Sequence, residues 1–583
     1  MKIEKRTTFT CLILVLIIFS MSIQNNDKNS DDLTRQSLNI RPSDLRSAGF
    51  WNNFTFIHIT DLNWTTASSY DWCAGSGTWG DPYVIENMLI NANSSPIGAG
   101  IFIENSVNVY FTIRNITIYG GTNGIRLENT NSGTFVDNVL SNNVENGIYM
   151  INCVNNTILR NKLINNDMYG LYMSSNCLNN KIIGNTAKND GASLQEAGVF
   201  MQNFCDDNEL IGNSIYDNNV YGINIEGSCE GNLICNNTLK NVAANQQDDG
   251  IRLYNDCHQN NLSLNTIENL NTYGIIILTS DQNLVANNQI IDVSTGIYIL
   301  NDLQSEITSN IISDCSIGIS ISGCSDGDII GNFINETTNY AIRIYTNSDD
   351  NEFSDNIIKD NIGIGVELLE PLNDNNMFYR NSFISNGVHA YDNGMATFWN
   401  NTMIGNYWDN YTGLDLDNDH IGDTPFNIHG ASNANDSLPM VNNGTPSITI
   451  NTPTSNEYGD TAPEFNIFVD DPFIYSMWYN INNSGKNYYF TKNGTINLNA
   501  WSALSDGNLT ITFYARNYAW NKGSTSIDLI KKTSQGPEDP VDPVNPGNGS
   551  PPINIVLIVV ISVIVIAVIA IAGILVRRLP KNR

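Results

Sequence analysis

Short apolar runs recur along most of the chain, with apolar and polar residues alternating at every second position. A tetrad of the form Gly-aliphatic-x-aliphatic carries this alternation, for example Gly-Ile-Tyr-Ile at 296–299. Runs of this length that favour Ile and Val are typical of β-strands and are too short for helices. The tetrads begin at Gly100, Gly124, Gly147, Gly170, Gly198, Gly222, Gly250, Gly274, Gly296, Gly318 and Gly365, and Ala341 replaces Gly in one copy.

A second repeated element keeps step with the tetrads. It has the form Asn-x-hydrophobic, and the tetrads themselves recur in steps of 22 to 28 residues, most often 22 to 24. Two patterns that stay in register over about 300 residues indicate a repeat protein. The Asn elements begin at Asn115, Asn138, Asn161, Asn213, Asn237, Asn265, Asn288, Asn310, Asn332, Asn356 and Asn381.

The length of the repeat predicts a parallel β-helix. At about 3.3 Å per residue, about 23 residues trace about 75 Å, the perimeter of a coil with three short strands and three turns. Coils stacked about 4.8 Å apart would bury the second and fourth residues of each tetrad in one core. An Asn at a fixed turn can adopt left-handed backbone angles and bond its side-chain amide to the next coil. We therefore expect about 12 or 13 coils with an Asn ladder.

The repeats resemble a known family. Together with GSGTWGDPYVIE at 75–86 and GNYWDNYTGLDLDNDHIGDTPF at 405–426, they are similar to the repeats and the opening and closing segments of the NosD-type, carbohydrate-binding and sugar-hydrolase superfamily. The resemblance covers Phe54 to Met440 and implies a right-handed parallel β-helix with a pectin-lyase-like fold, which we place at 51–440. It implies no single activity, because the superfamily contains enzymes, copper-delivery factors and surface proteins.

A different pattern begins after Pro446. Seven short runs in 446–532 alternate in the manner of strands, which predicts a β-sandwich of immunoglobulin-like type with Trp478, Trp501 and Phe513 in its core. The tract at 506–522 also resembles the closing strands of bacterial Ig-like modules, which commonly act as spacers. The runs are SITI, FNIFV, MWYNI, YYF, TINL, LTITFYA and SIDLI.

The two ends of the chain predict export and anchoring. Basic residues followed by an apolar run predict a signal peptide at 1–24, with a first membrane anchor as the alternative, and a linker at 25–50. A Pro-rich stalk at 533–552 precedes an uncharged stretch at 553–576, long enough for a transmembrane helix. The basic segment 577–583 would then be a cytoplasmic tail, which leaves the rest as a cell-surface ectodomain anchored in the cytoplasmic membrane.

Charge excludes one class of partner. The chain has 28 Lys and Arg residues against 59 Asp and Glu residues, a formal net charge of -31, and it has no basic stripe. Such a chain repels phosphate backbones, so nucleic acid is not an expected partner.

The third position of the tetrads predicts a ligand-binding face. It points outward from the coil and carries several aromatic and basic side chains, which could stack on sugar rings or only on one another. The family resemblance implies the same use of this face, because pectin-lyase-like enzymes commonly bind polysaccharides along a corresponding strand face. The predicted ligand-binding residues are Arg126, Tyr149, Tyr172, Phe200, Arg252 and Tyr298.

Alternating carboxylates in the closing segment predict a Ca²⁺ site. Asp415, Asp417 and Asp419 lie two residues apart, and Asp423 with the Ile421 carbonyl could complete an oxygen shell. The loop is not an EF-hand, because it lacks the required Gly and the bidentate Glu. A solvated acidic turn is the alternative.

Two columns of sulfur-containing residues allow several interpretations. Cysteines six or seven residues past the tetrad Gly could be small packed turn residues, one or two disulfides, or a soft-metal site. Methionines at the fourth tetrad position invite a copper site, but aliphatic residues continue that column, which favours core packing and makes copper a poor expectation. These residues are Cys153, Cys177, Cys205, Cys229, Cys257 and Cys324, and Met150, Met173 and Met201.

The acidic pairs of the β-helix do not identify an enzyme. Pairs at 206–207, 248–249 and 349–350 are expected at turns without any chemistry, and they lack the motifs of polygalacturonases and mannuronan epimerases. We assign no catalytic residue. The expected function is non-catalytic binding or adhesion at the cell surface, with a polysaccharide or glycoprotein as partner. A polysaccharide lyase or hydrolase is the alternative, and a NosD-like copper maturation factor is third.

Overall fold

The computed structural model describes residues 51–191, 194–242, 247–442 and 444–533. The predicted signal peptide, the linker at 25–50, the transmembrane helix and the cytoplasmic tail lie outside these residues, as does nearly all of the predicted stalk. Within the described part, no helix is both long and apolar enough to span a bilayer.

Residues 51–442 form a parallel β-helix of about 13 coils built from three long sheets. The sheet that contains the tetrads, called the tetrad sheet here, has 14 strands. Its strands are Ile57–Thr60, Ala99–Glu104, Asn123–Glu128, Asn146–Ile151, Tyr169–Ser174, Ala197–Gln202, Tyr221–Glu226, Asp249–Tyr254, Tyr273–Leu278, Thr295–Leu300, Ile317–Ser322, Tyr340–Ile344, Ile364–Leu368 and Val388–Asp392.

The second and third sheets complete the coils. The strands of the second sheet are Cys73–Ala74, Tyr83–Glu86, Phe111–Arg114, Gly133–Val136, Thr157–Leu159, Lys181–Ile183, Glu209–Ile211, Leu233–Cys235, Asn261–Ser263, Leu284–Ala286, Glu306–Thr308, Asp328–Ile330, Glu352–Ser354 and Met377–Tyr379. Those of the third sheet are Trp51–Phe54, Met88–Asn91, Thr117–Tyr119, Val139–Ser141, Lys162–Ile164, Thr186–Lys188, Ser214–Tyr216, Thr238–Lys240, Thr266–Glu268, Gln289–Ile291, Ile311–Ser313, Phe333–Asn335, Ile357–Lys359, Ser382–Ile384 and Tyr407–Trp408. A short helix, Trp64–Ala67, and a 3-10 turn, Ala92–Ser94, lie near the first coils, and a strand pair, Phe426–Asn427 and Asn435–Asp436, follows the last.

Equivalent tetrad positions stack along the β-helix, as the repeat predicts. Ile148 pairs with Leu171 and Met150 with Met173, and all four side chains are buried. A Cβ added at Gly147 would lie 2.6 Å from the carbonyl oxygen of Gly170 on the next coil. The tetrad therefore begins with Gly because neighbouring coils approach too closely there for a side chain.

The predicted Asn ladder is present, but its geometry differs from the expectation. From Asn138 to Asn406 each side-chain amide donates to the Asn of the next coil, for example Asn213 Nδ2 to Asn237 Oδ1 at 2.9 Å. The left-handed residue is the one before the ladder Asn, such as Asn236 with φ 56°. Ladder residues are buried and use both amide atoms, whereas the residue before them makes the turn.

Two further polar ladders follow the other turns of the coil. One contains Asn180, whose amide donates to Asn208 at 3.0 Å, and the other contains Asn143, whose amide donates to Asn166 at 2.9 Å. Because a buried amide needs partners for both its atoms, stacking one amide on the next satisfies a whole column. The Asn excess therefore serves three turns rather than one.

The cysteine column is a buried column of free thiols. All nine cysteines in the described residues are unpaired. The five that lie on consecutive coils, from Cys153 to Cys257, have no exposed surface. Their thiols donate to nearby backbone carbonyls, for example Cys229 to Glu226 at 3.3 Å. Ser280 and Ser348 continue the column, rather than the Asp281 and Asn347 that a uniform spacing suggests. The packed-turn interpretation therefore describes this structure, and the methionine column lies in the core beside it.

Residues 447–531 form a second domain of two sheets around its own core. One sheet has the order Ser447–Thr452, Glu464–Asp470, Gly494–Thr495, and the other Glu457–Tyr458, Lys522–Lys531, Gly507–Asn517, Ile474–Ile481, Tyr488–Phe490. A helix, Leu498–Ser502, starts where the TINL run ends, so only the beginning of that run is a strand. Trp501 and Phe513 pack in the central cluster of this core, and Trp478 is also buried, stacked on Tyr514.

This domain contacts the third sheet of the β-helix. Trp520 stacks on Phe333 with ring centroids 5.5 Å apart, and the Ser382 hydroxyl donates to the Tyr518 carbonyl at 2.6 Å. The Tyr518 hydroxyl also donates to Asp355. The tetrad sheet makes none of these contacts.

Candidate ligand-binding groove

The outer surface of the tetrad sheet contains a groove of about 590 Å³. The groove crosses the five consecutive strands from Asn146–Ile151 to Asp249–Tyr254. Its walls combine tyrosines, carboxylates, amides and one guanidinium. The lining residues are Glu145, Asn146, Met168, Tyr169, Tyr172, Glu196, Phe200, Gln202, Tyr221, Asn224, Glu226 and Arg252.

Two long turns border this part of the sheet. Eight residues connect Thr186–Lys188 to Ala197–Gln202, and eight connect Thr238–Lys240 to Asp249–Tyr254. In the coil between them, the equivalent connection from Ser214–Tyr216 to Tyr221–Glu226 has only four residues. These insertions account for the two 28-residue steps of the repeat, and Glu196 in the groove is the last residue of the first long turn.

A ladder of stacked aromatic rings lies along the groove. Tyr149 stacks on Tyr172 at 5.1 Å, and Tyr172 stacks on Phe200 at 5.3 Å, with interplanar angles of 17° and 9°. Tyr169 packs obliquely on Tyr172 and Phe200, which leaves Phe200 only 7% exposed. The ring faces are used in contacts among themselves, so a ligand would meet ring edges and hydroxyl groups.

The tyrosines of the groove are held in their neutral form. Burial raises the pKa of Tyr172 and of Tyr221 above the usual value. Burial also raises the pKa of Tyr169, and the negative charges of Glu196 and Glu226 add to this shift. The three phenols therefore keep their protons at neutral pH and can donate hydrogen bonds.

Arg252 supplies the positive charge at one end of the groove. Its guanidinium lies 3.6 Å from the Glu226 carboxylate and contacts Asn224 Oδ1 at 3.4 Å. It also lies over the rings of Tyr221 and Tyr254, at 5.3 and 4.5 Å from their centroids. The Arg252 charge is thus already balanced by a carboxylate of the protein.

Three acceptors in the groove have no partner among the residues that the structure describes. Asn146 is only 3% exposed, and its amide donates to Asn123 Oδ1 at 2.8 Å, whereas its own Oδ1 has no hydrogen-bond partner among the described residues. Over the same part of the chain, the carboxylates of Glu145 and Glu196 make no hydrogen bond or ion pair. A buried acceptor without a donor is costly, so a ligand that donates hydrogen bonds would be favoured here.

The structure brings some of the predicted ligand-binding residues together and separates others. Tyr172, Phe200 and Arg252 line the groove, and Tyr149 supports the ladder behind Tyr172. Arg126 lies over the Phe102 ring at 4.8 Å and pairs with Glu128, outside the groove.

Tyr298 lies further along the sheet and stacks on Tyr273 at 5.3 Å. Sequence reasoning missed Glu145, Tyr169, Glu196 and Tyr221. These residues stand one or two positions before a tetrad Gly, so a column read at those positions would have found them.

The closing segment brings three of the predicted metal ligands together. One ligand atom from each of Asp415, Asp417 and Asp419 lies within 4.8 Å of the others. The Asp423 carboxylate instead accepts from the Leu416 amide at 2.6 Å, and Ile421 pairs with Met440 across a short bridge. The Asp415 carboxylate already accepts from two backbone amides of the turn. Calcium binding by this turn stays a prediction.

One member of the acidic pairs is not a turn residue. Asp249 belongs to a tetrad-sheet strand, is buried, and pairs in register with Tyr221 of the groove. Burial raises the pKa of the Asp249 carboxyl to about 6, although a hydrogen bond from the Tyr273 amide opposes the shift.

Several solved structures are similar to this chain at low identity. The periplasmic alginate epimerase AlgG is 14% identical over 55% of this chain and 84% of its own, with a TM-score of 0.39. The A-module of Azotobacter vinelandii mannuronan C-5 epimerase AlgE6 is 15% identical over 54% and 87%, with a TM-score of 0.35. The catalytic domain of a GH87 alpha-1,3-glucanase in complex with nigerose is 14% identical over 62% and 64%, with a TM-score of 0.32.

The family comparison covers the β-helix itself. No curated protein matches the chain. The model of the family described as periplasmic copper-binding protein (NosD) matches residues 75–245 and 238–413, which together make up more than half of the chain. The chain therefore belongs to the NosD family.

Proposed function

We propose that the protein is a cell-surface protein that binds a glycan in the groove of the tetrad sheet. The observation that carries this proposal is the groove itself, about 590 Å³ in volume and lined by tyrosine hydroxyls, carboxylates and unpartnered amide oxygen. Its volume lies within the range of about 300 to 1,000 Å³ of small-molecule sites. A sugar suits the lining because each sugar hydroxyl both donates and accepts hydrogen bonds.

Polar contacts, rather than ring stacking, would provide recognition. The faces of the Tyr172 and Phe200 rings are covered by neighbouring rings, so the groove offers phenol donors and carboxylate acceptors rather than free ring faces. Hydrogen bonds to charged groups contribute about 1.5 to 3 kcal/mol each. A few such contacts give measurable affinity even where stacking contributes little.

A matched pair of variants tests the proposal. The full-length protein is screened on an oligosaccharide array, and the best-binding saccharide is then titrated by calorimetry. We expect Tyr172→Ala to reduce affinity at least tenfold, because it removes a hydroxyl and a wall of the groove. Tyr298→Ala removes an equally stacked tyrosine of the same column outside the groove and should leave affinity unchanged. Equal affinity in both variants, or no saccharide bound by the unmodified protein, would refute glycan binding at this site.

The remaining chain fits a display role. In this proposal the helix at 553–576 anchors the protein in the membrane, the Pro-rich segment is a stalk, and the two-sheet domain is an Ig-like spacer that holds the β-helix away from the surface. The contacts of that domain with the third sheet support this arrangement, since they leave the tetrad sheet uncovered.

A hydrolase or lyase is the second candidate, and Asp249 is the observation that favours it. A carboxyl with a pKa of about 6 beside a groove could act as a general acid. Asp249→Asn should then abolish release of reducing ends or unsaturated uronates from a polysaccharide while it leaves saccharide binding intact. If the unmodified protein releases neither product from any bound saccharide, binding alone remains.

The residues that the structure describes do not fit the copper site that the family description suggests. Copper(I) prefers thiolate and thioether ligands. The thioethers of Met150, Met173 and Met201 lie fully buried in the core, and the column thiols are engaged with backbone carbonyls. Among the described residues, the only cluster of three metal-binding side chains is the aspartate turn, which offers hard oxygen ligands. Copper delivery is therefore not part of the proposed function.

A further inference from the structure

We propose that the groove selects a sugar that carries a free amine, and this inference rests on the proposed glycan binding. The ammonium group of such a sugar would lie near Glu196 and Asn146, beside the Tyr169 and Tyr172 hydroxyls. A neutral sugar would bind more weakly, and a uronate would be excluded.

The unpartnered atoms of the groove call for donors. Glu145 and Glu196 offer free carboxylates, and Asn146 offers a buried Oδ1 without a partner, in each case within the described residues. An ammonium group has three donors and no acceptor, so it matches this set better than any hydroxyl. The carboxylate of a uronate has acceptors only, so this group offers no donor to the Asn146 oxygen and would lie beside carboxylates of the same charge.

Three glutamates of the tetrad sheet are paired with arginines of the protein itself. Glu367 pairs with Arg343 at 2.7 Å, and Glu128 pairs with Arg126. Glu226 in the groove likewise lies 3.6 Å from Arg252. Within the described residues, Glu145 and Glu196 have no such cation, unlike these three glutamates.

The net charge of the groove lining also favours a sugar with a positive charge. Three carboxylates face one guanidinium, an excess of two negative charges in a partly enclosed space. Like charges repel more strongly where water is partly excluded, so a polyuronate would be disfavoured there. A cationic sugar would gain from the same field, and its affinity should fall as salt is added.

The test compares three oligosaccharides of equal length on the full-length protein by calorimetry: glucosamine, N-acetylglucosamine and galacturonate oligomers. We expect the glucosamine oligomer to bind at least tenfold more tightly than its N-acetylated counterpart, and the galacturonate oligomer to give no heat. Glu196→Gln keeps the shape of the side chain and should remove the preference. Glu128→Gln, whose carboxylate is already paired with Arg126, is the matched control and should keep it.

The outcomes separate the two proposals. If the glucosamine and N-acetylglucosamine oligomers bind equally, or the galacturonate oligomer binds best, and Tyr172→Ala still weakens binding, then amine selection is wrong and glycan binding stands. If Glu196→Gln binds the amine as well as the unmodified protein does, amine selection is also wrong. If none of the three oligomers binds and the array is empty as well, both proposals fail.

Discussion

Two stretches of the same face of the tetrad sheet differ in what they can do. From Tyr149 to Arg252 the outer column carries stacked aromatic rings beside a groove. From Ile276 to Arg343 it carries Ile276, Tyr298 and Ser320, of which the first and last are buried. Both stretches have the same parallel register and a core of apolar side chains. The arrangement of the backbone strands therefore does not explain why the groove lies in only one of the two stretches.

Turn length and charge pairing make the difference. The groove lies where two turns of eight residues lead into the sheet, whereas the turns from Thr266–Glu268 to Tyr273–Leu278 and from Gln289–Ile291 to Thr295–Leu300 have four and three residues. Among the described residues, Glu196 of the first long turn has no ion-pair partner beside the aromatic ladder, whereas Arg343, at the end of the downstream stretch, pairs with Glu367 of the next strand. A repeat protein can thus acquire a site by lengthening turns while its core stays uniform.

The largest expected effect comes from removing Phe200, the most buried ring of the ladder. Phe200→Ala should lower the free energy of unfolding by about 3 kcal/mol, since the side chain is almost fully buried under Tyr169 and Tyr172. Saccharide binding should be lost with it. Ile276→Ala in the downstream stretch should cost about 2 kcal/mol and leave binding unchanged. Denaturant unfolding and calorimetry measure both, and binding that survives in Phe200→Ala would contradict the role given to the ladder.

A smaller change isolates the hydroxyl groups. Tyr172→Phe removes one donor and keeps the stacked ring, so affinity should fall about tenfold, equivalent to about 1.4 kcal/mol. Tyr298→Phe, outside the groove, is the control. An equal loss of saccharide affinity in the two variants would show that the Tyr172 hydroxyl does not bind the saccharide in the groove.

The pH dependence of stability distinguishes Asp249 from Thr295, which occupies the same column two coils further along. Burial raises the pKa of Asp249 in the folded protein to about 6, above the value of about 3.9 in unfolded chains. The folded protein therefore binds the Asp249 proton more tightly than the unfolded chain does. The resulting contribution to the free energy of unfolding is fully present below pH 4 and is lost as the pH rises through 6.

Replacement of Asp249 by Asn should remove this dependence. Asp249→Asn should raise the free energy of unfolding by about 1 to 2 kcal/mol at pH 8 relative to the unmodified protein, and by little at pH 4. Thr295→Ser should show no pH-dependent difference. Denaturant unfolding at the two pH values decides, and a stabilisation that is the same at both would contradict the shifted pKa.

Calcium binding in the closing segment should have the smallest effect on saccharide binding by the groove. If Asp415, Asp417 and Asp419 bind Ca²⁺, calorimetry at millimolar metal should show heat that Asp417→Asn abolishes, with saccharide affinity unchanged. Asp207→Asn, in an exposed turn outside that cluster, should keep the heat. No heat from the unmodified protein would refute the calcium site, and altered saccharide affinity would show that the turn and the groove are coupled.

Periodicity made the β-helix predictable from the sequence, because stacked coils repeat the same physical demand every 22 to 28 residues. The core positions of the tetrad, such as Ile148 and Met150, and the Asn138 to Asn406 ladder follow from that demand. The groove was found only in part. Tyr172, Phe200 and Arg252 share the tetrad column, whereas Glu145 and Glu196 stand two positions before the tetrad Gly, in a turn column outside the tetrad.

Two other misses have physical reasons. The left-handed turn residue precedes the ladder Asn, since the ladder needs a buried amide and the turn needs a positive φ, and one residue does not serve both. The carboxylates of the groove were not distinguished from those of the turns, because pairing with Arg126 or Arg343 depends on distances between coils that the sequence does not state.

The most direct test of the account is a crystal structure of the protein with a glucosamine oligomer. The account predicts density for the saccharide across the strands from Asn146–Ile151 to Asp249–Tyr254, with an amine within hydrogen-bond distance of Asn146 Oδ1 or the Glu196 carboxylate. Saccharide bound instead along the downstream stretch from Ile276 to Arg343, or on another sheet with the groove empty, would contradict it.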